Sequence, residues 1–258
     1  MLMKSSAFKW SVLFTLMLGI VSLRAQTVTN APPKPKWVGD VSAGVTITRG
    51  NSDTTLANLT ADIDHKTDIN ELEFGANATY GNAKVTAGNT TITSTTAPNA
   101  EGFAQYNQLF TPRFYGYARV QGLHDDIADI HYRVTIGPGV GYYFIKNTRT
   151  TFSGEVGPAY ISQEIGSSKQ NFVTLRVADK FTFQLSDRAR LWENAEIDPD
   201  LQNTKSYIVT SEFGVAADLT ADKSLSLNVF LDDDYQSQPA PGREKNDAKI
   251  VAAIDYKF

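Results

Sequence analysis

From Trp37 to Phe258 the chain shows no convincing helical period; instead, segments alternate apolar and polar side chains and are parted by turn signals. Successive residues of a strand point to opposite faces, so such a chain builds sheet with one apolar and one polar face along nearly its whole length. In the final DAKIVAAIDYKF, Ala248, Ile250, Ala252, Ile254, Tyr256 and Phe258 share one face. Lys249, Ala253, Asp255 and Lys257 share the other, with Val251 the one bulky exception. In the same way Leu72, Phe74, Ala76, Ala78 and Tyr80 oppose Glu71, Glu73 and Asn77. The pattern predicts twelve strands, over 37–48, 55–65, 70–80, 101–110, 114–124, 132–144, 150–161, 171–185, 189–197, 204–219, 223–231 and 247–258.

The connections carry a second pattern. Those after even-numbered strands are short: KTDI, TPR, KNTR, SDR and TADK. Those after odd-numbered strands are mostly longer: RGNSDT, the Thr-rich stretch 81–100, DDIADI, SQEIGSSKQ, DPDLQN and DDDYQSQPAPGREKN. An even strand count with short turns on one side and long loops on the other is the pattern of a bacterial outer-membrane barrel. The first strand would enter from the periplasm and Phe258 would return there.

The N-terminus agrees with export. Lys4 and Lys9 precede the apolar run Ser11–Leu23, which is short for a membrane span, and Arg24-Ala25 follows. Residues 1–25 read as a signal peptide, and the Pro-rich residues 26–36 as a disordered periplasmic leader. Without Lys4, Lys9 and Arg24, 21 basic residues face 28 acidic ones, a net charge of −7. No basic stripe is visible, which excludes nucleic acid as an expected partner. Cysteine is absent, removing disulfides, thiolate metal sites and thiol nucleophiles.

Alternation alone does not say which face points outward, because a lipocalin-like barrel alternates too. Three features favour lipid outside. Aromatics mark both strand ends: Trp37, Phe110, Tyr115, Phe144, Phe152, Phe183 and Tyr256 on the short-turn side, and Tyr80, Phe103, Tyr132, Tyr160, Phe172, Tyr207 and Tyr235 on the long-loop side. The polar face carries charges of both signs at mid-strand, at Glu73, Arg119, Arg133, Glu155, Arg176 and Glu212, which suits a hydrated lumen. Strand lengths match the ~9–11 residues that cross a bilayer at a ~45° tilt. The expected fold is therefore all-β: a transmembrane antiparallel up-and-down β-barrel of about 12 strands over 37–258.

Trp37-Val38-Gly39, then TRGNSD over Thr48–Asp53, then hairpins ending in Tyr-Lys-Phe resemble the salt-induced outer-membrane proteins, a domain-of-unknown-function family. The resemblance covers about Trp37–Phe258. It implies an outer-membrane barrel linked to salt or osmotic stress, with no catalytic residues to carry over. It also implies that the terminal aromatic, Phe258, is what the barrel assembly machinery recognises.

The six mid-strand charges are the candidate lumen residues, able to line a narrow polar pore or to pair and plug it. Twelve strands lie between the filled eight-stranded and the open sixteen-stranded barrels. His124, Asp125, Asp126, Asp129 and His131 share one external loop and could bind a divalent cation, but they match no EF-hand or zinc template, so no metal is assigned. The acids Asp232, Asp233 and Asp234 near another loop read the same way. Asp179 and Glu193 are misfits on an otherwise apolar face, read as a bulge, a register error or a contact with a partner. An enzyme would need a nucleophile beside a base, and the chain has three histidines and no Gly-x-Ser-x-Gly elbow. The expectation is a non-enzymatic barrel without cofactor, acting as a narrow porin-like channel or envelope-stabilising protein. Its partners would be outer-membrane lipid, lipopolysaccharide, the assembly machinery and small solutes. A lipid-hydrolysing barrel and a plugged structural or adhesive barrel remain the alternatives.

Overall fold

A computed structural model of the protein describes residues 37–49, 53–87, 90–95 and 99–258. The expected signal peptide and leader, and residues 50–52 of the TRGNSD motif, lie outside the described residues. The strands are β1 (Trp37–Arg49), β2 (Asp53–Lys66), β3 (Asn70–Ala87), β4 (Thr90–Thr95), β5 (Asn99–Leu109), β6 (Phe114–Asp125) and β7 (Ile130–Lys146). They continue with β8 (Thr150–Ile165), β9 (Ser168–Ser186), β10 (Ala189–Pro199), β11 (Tyr207–Asp218), β12 (Leu225–Gln236) and β13 (Asn246–Lys257).

Consecutive strands pair antiparallel, β3 passes over β4 to pair with β5, and β13 returns to β1 from Asp40↔Lys257 to Arg49↔Ala248. Twelve strands thus close into an up-and-down barrel, which leaves the sheet without an open edge. The extra strand, β4, pairs with Asn82–Ala87 at the outer end of β3 and stays out of the ring. The Thr-rich stretch expected as loop is therefore partly a hairpin arm, in keeping with its run of β-branched residues. A second correction concerns the triple acid, which lies within β12 and not in a loop. Asp232 and Asp234 turn inward onto Lys249 of β13, at 3.7 and 3.0 Å, and this pairing lets the strand run on to Gln236.

The faces are inverted relative to a soluble protein. Val229, Leu231, Ile250 and Ile254 are exposed on the outside, while Gln105, Glu155 and Asp255 are only 1%, 3% and 1% exposed inside. A soluble barrel would bury the first set, so the inversion selects the membrane barrel. Aromatic rings run along the outer surface near the short turns: Tyr142–Phe144, Phe144–Phe152 and Phe152–Phe181 have centroids 5.4, 5.2 and 6.2 Å apart.

Three aromatics expected in these belts have inward parity instead: Tyr115, Phe103, and Phe172, which stands opposite the buried Ile161. Tyr115 is 1% exposed and packs with Tyr143, and Phe103 lies beneath the Arg119 guanidinium, 4.0 Å from its ring centroid. Tyr115 shares its parity with Tyr117 and Arg119, and Phe103 with Glu101 and Gln105, so the pleat turns both inward. The inward glycines of β7 accommodate the tyrosines. A Cβ at Gly141 would stand 2.2 Å from the Tyr115 ring, and one at Gly139 2.4 Å from that of Tyr117.

Candidate functional site

The lumen divides into two halves of different character. From β3 to β10 inward side chains join across the interior. Arg176 on β9 bonds Glu155 (Nη1–Oε2, 2.8 Å) and Glu196 (Nε–Oε2 and Nη2–Oε2, 2.8 and 2.7 Å), and also donates to the Tyr117 hydroxyl at 3.1 Å. Glu155 Oε1 accepts from Gln105 Nε2 at 2.8 Å and from the Tyr115 hydroxyl at 2.9 Å. Glu71 accepts from the Tyr143 hydroxyl at 2.7 Å and pairs with Lys146 at 3.3 Å. Lys180 donates to Glu73 at 2.7 Å. β3 and β9 stand five strands apart in the ring of twelve, so the last bond bridges nearly the full lumen.

The opposite half, from β10 through β13 to β1 and β2, borders a cavity of about 580 Å³ whose other side is formed by bridged-half residues such as Glu73, Arg119, Arg176 and Lys180. Its lining runs from Asp64 and Arg190 near the short turns to Pro239 and Glu244 in the long β12–β13 loop. Trp192 and Phe230 present adjoining rings there, 6.1 Å apart, and Trp192 Nε1 donates to Glu212 at 2.5 Å. Gly214 leaves room for the indole, since a Cβ would come 2.3 Å from it.

All six candidate charges project inward. Glu73, Glu155 and Arg176 belong to the bridged half. Arg119 is held by Gln105 and Gln121, at 3.3 and 3.4 Å, over Phe103. Arg133 binds Gln163 and Gln236 at 2.7 and 2.9 Å near the long loops, and Glu212 faces the open half. The inward aromatics Tyr115, Tyr117, Tyr143, Phe103, Trp192 and Phe230 stand beside these charges in the lumen, and charge alone does not mark them. Each has the same parity along its strand as a lumen charge or amide, and that parity is the signal that finds them.

Residues 41–258 match the family described as protein of unknown function, DUF481. The chain belongs to this family. No curated protein matches it. Among solved structures, this DUF481 barrel is similar to the NanC porin, at 6% identity with a TM-score of 0.56, over 84% of this chain and all of that one. It also aligns with the KdgM porin, at 7% identity and TM-score 0.47, over 85% of this chain and 99% of the other. The first likeness establishes a porin-like outer-membrane barrel fold.

The remaining candidates of the DUF481 chain fall on the outer face, at the seam or at the rim of the lumen. His124 Nδ1 bonds the His131 carbonyl at 2.9 Å, and His124 and His131 approach Asp126 and Asp129 at 3.2 and 3.8 Å. Asp125 instead turns inward and caps the loop, accepting from the Ile127 and Ala128 amides and from Asn99. Among the described residues no group of three or more His, Cys, Asp or Glu forms a metal cluster. The same loop folds over the mouth: Ile127 packs on Leu56 of β2, and Ala128 and Ile130 pack on Ile165 and on Ala240 of the β12–β13 loop.

Asp179 and Glu193 both lie on the outward face and hydrogen-bond to each other, in a register that sets Asp179 against Ala195 and Glu193 against Phe181. They are diagonal rather than directly opposite, and the irregularity of this hairpin sits at Ala189/Arg190, away from them. At the seam the Phe258 amide donates to the Gly39 carbonyl at 2.9 Å, and the terminal ring covers Gly39, where a Cβ would stand 2.8 Å from it. The Trp-x-Gly opening and the terminal aromatic thus meet where the barrel closes. Among the described residues, no histidine hydrogen-bonds a Ser or Thr hydroxyl; His65 stacks on Trp37 at 4.6 Å.

Proposed function

We propose that this protein is a narrow porin-like channel of the outer membrane. The observation that carries the reading is the uneven lumen. Polar bonds fill one half, while a cavity between it and the other half, lined by many charged and amide side chains, reaches from the short-turn end to the long loops. Polar linings and mid-lumen charges of both signs are what a small hydrated solute passes between. The infolded Ile127 loop narrows the outer mouth further. A porin-like fold and the absence of a histidine–hydroxyl pair among the described residues favour transport over lipid hydrolysis.

Purified protein in planar bilayers should give discrete conductance steps well below those of sixteen-stranded porins. A silent bilayer holding folded protein would refute the channel. The salt link implied by the family resemblance joins the proposal as physiology: raised NaCl should increase the amount of protein in outer-membrane fractions.

A further inference from the structure

The open half of the lumen has a charge of its own. Of the cavity-lining residues that come from β10 through β13 to β1 and β2, eleven are Asp or Glu and three are Lys or Arg, so this half is strongly negative. The bases around the whole cavity are mostly engaged. Arg176, Lys180 and Lys249 are in ion pairs, and Arg119 and Arg133 are bound by amide oxygens. Of the acids on the β11–β2 wall, Asp232 and Asp234 share Lys249, Glu212 accepts only from the neutral Trp192 and Asn194, and Asp255 only from the neutral Asn228. Asp40 and Asp62 face each other across β1 and β2 in register, and among the described residues neither has a hydrogen-bond or ion-pair partner. Glu212 and Asp255 are further charged neighbours of Asp62. The bases near Asp40 are Arg190, whose guanidinium lies 5.8 Å from the Trp192 ring, and Lys257, which is paired with Asp218 at 2.9 Å.

A second, independent observation points at the same place. Asp255 is 1% exposed and receives the Asn228 amide on Oδ2, yet its Oδ1 has no hydrogen-bond partner. Ser226 stands directly opposite it in register, fully buried, with its Oγ equally unpartnered, as is Oδ1 of Asn228. A buried carboxylate with an unmatched oxygen, beside two more acceptors, is costly unless positive charge comes to it. Asp255 and Asn228 both line the cavity.

We propose that the wall formed by Asp40, Asp62, Glu212 and Asp255 is a cation-selectivity element, and that the solutes of this channel are small cations. The inference rests on the channel reading and names its substrate class. Carboxylates along a narrow lumen with low-dielectric walls focus the field and raise the local cation concentration, while anions are repelled. The bridged half forces a solute along this wall, because the Glu73–Lys180 and Arg176–Glu155 bonds occupy the other side.

The test is the zero-current potential of single channels under a potassium chloride gradient. Wild-type protein should take the sign of a cation-selective pore. Asp40→Asn/Asp62→Asn should move the potential by at least half of the way to zero, with Asp68→Asn, on an exposed turn, leaving it in place. Because the buried Asp255→Asn variant can fail to fold, the Asp40 and Asp62 variants carry the decision, their insertion checked by heat-modifiable migration. A wild-type channel with no preference, or with anion preference, overturns the inference and leaves the channel reading standing. A cation-selective wild type with an unchanged double variant overturns the assignment to this wall. A complete lack of conductance overturns the channel reading and the inference together.

Discussion

Replacing Arg176 by Met tests the bridged half of the lumen directly. The guanidinium makes three charge-assisted bonds of 2.7–2.8 Å to Glu155 and Glu196 and a fourth to Tyr117. Its side chain is 4% exposed, and that of Glu155 2%. Met fills much of the volume but leaves two carboxylates facing each other without a counter-charge, and breaking a buried pair from one side costs about 3–5 kcal/mol. Because Lys180 and Gln105 remain nearby, the lower end of that range is expected. The double variant Glu155→Gln/Arg176→Met removes one of the stranded charges, so the two changes should be less than additive, with a coupling of about 0.5–3 kcal/mol. Urea unfolding of the barrel in lipid vesicles, read from the midpoint at constant slope, measures both. A single-variant loss below about 1 kcal/mol, with no coupling, would show that the cross-lumen bonds neither hold the barrel nor fill it. Single-channel conductance gives a second readout, which should rise in Arg176→Met as the bridge opens.

Three further outcomes follow from the geometry. Gly141→Val places its Cβ against the Tyr115 ring, where 2.2 Å is available, and should cost about 1–3 kcal/mol of unfolding free energy. Gly39→Val should mimic deletion of Phe258, because it pushes the terminal ring off the β1–β13 seam; both should lower the folded fraction in outer-membrane extracts, and normal insertion of both would sever Phe258 from assembly. Val229→Arg, on the outward face, should destabilise by about 2–4 kcal/mol if the residue sits near the bilayer midplane, and a neutral result would place that face away from lipid.

Much of the barrel was legible because a strand's period is local. The twelve long strands, their antiparallel order and the inward direction of Glu73, Arg119, Arg133, Glu155, Arg176 and Glu212 all follow from counting by twos. The errors arose where residue type was allowed to outrank parity. Tyr115 and Phe103 are aromatic and near strand ends, which suggests an outer belt, but their parity turns them inward. Asp232 and Asp234 read as loop because they are charged, but Lys249 on the neighbouring strand compensates them inside. β4 escaped because Thr-rich segments carry no amphipathic alternation, so nothing marks one face from the other.

By itself, then, the sequence determined a closed alternating sheet whose apolar face meets lipid and whose polar face lines a lumen. It left pore and plug equally open, since alternation says which way a side chain points and not what stands across from it. That pairing is decided by closure, when β13 meets β1 and strands far apart in the chain come to face one another. Closure set Glu73 against Lys180 across the lumen, while hairpin register alone joins Arg176 to Glu155, and it left Asp40, Asp62 and Asp255 without a basic partner on the other side. Charge balance across a barrel is a property of the ring, and no single strand contains it.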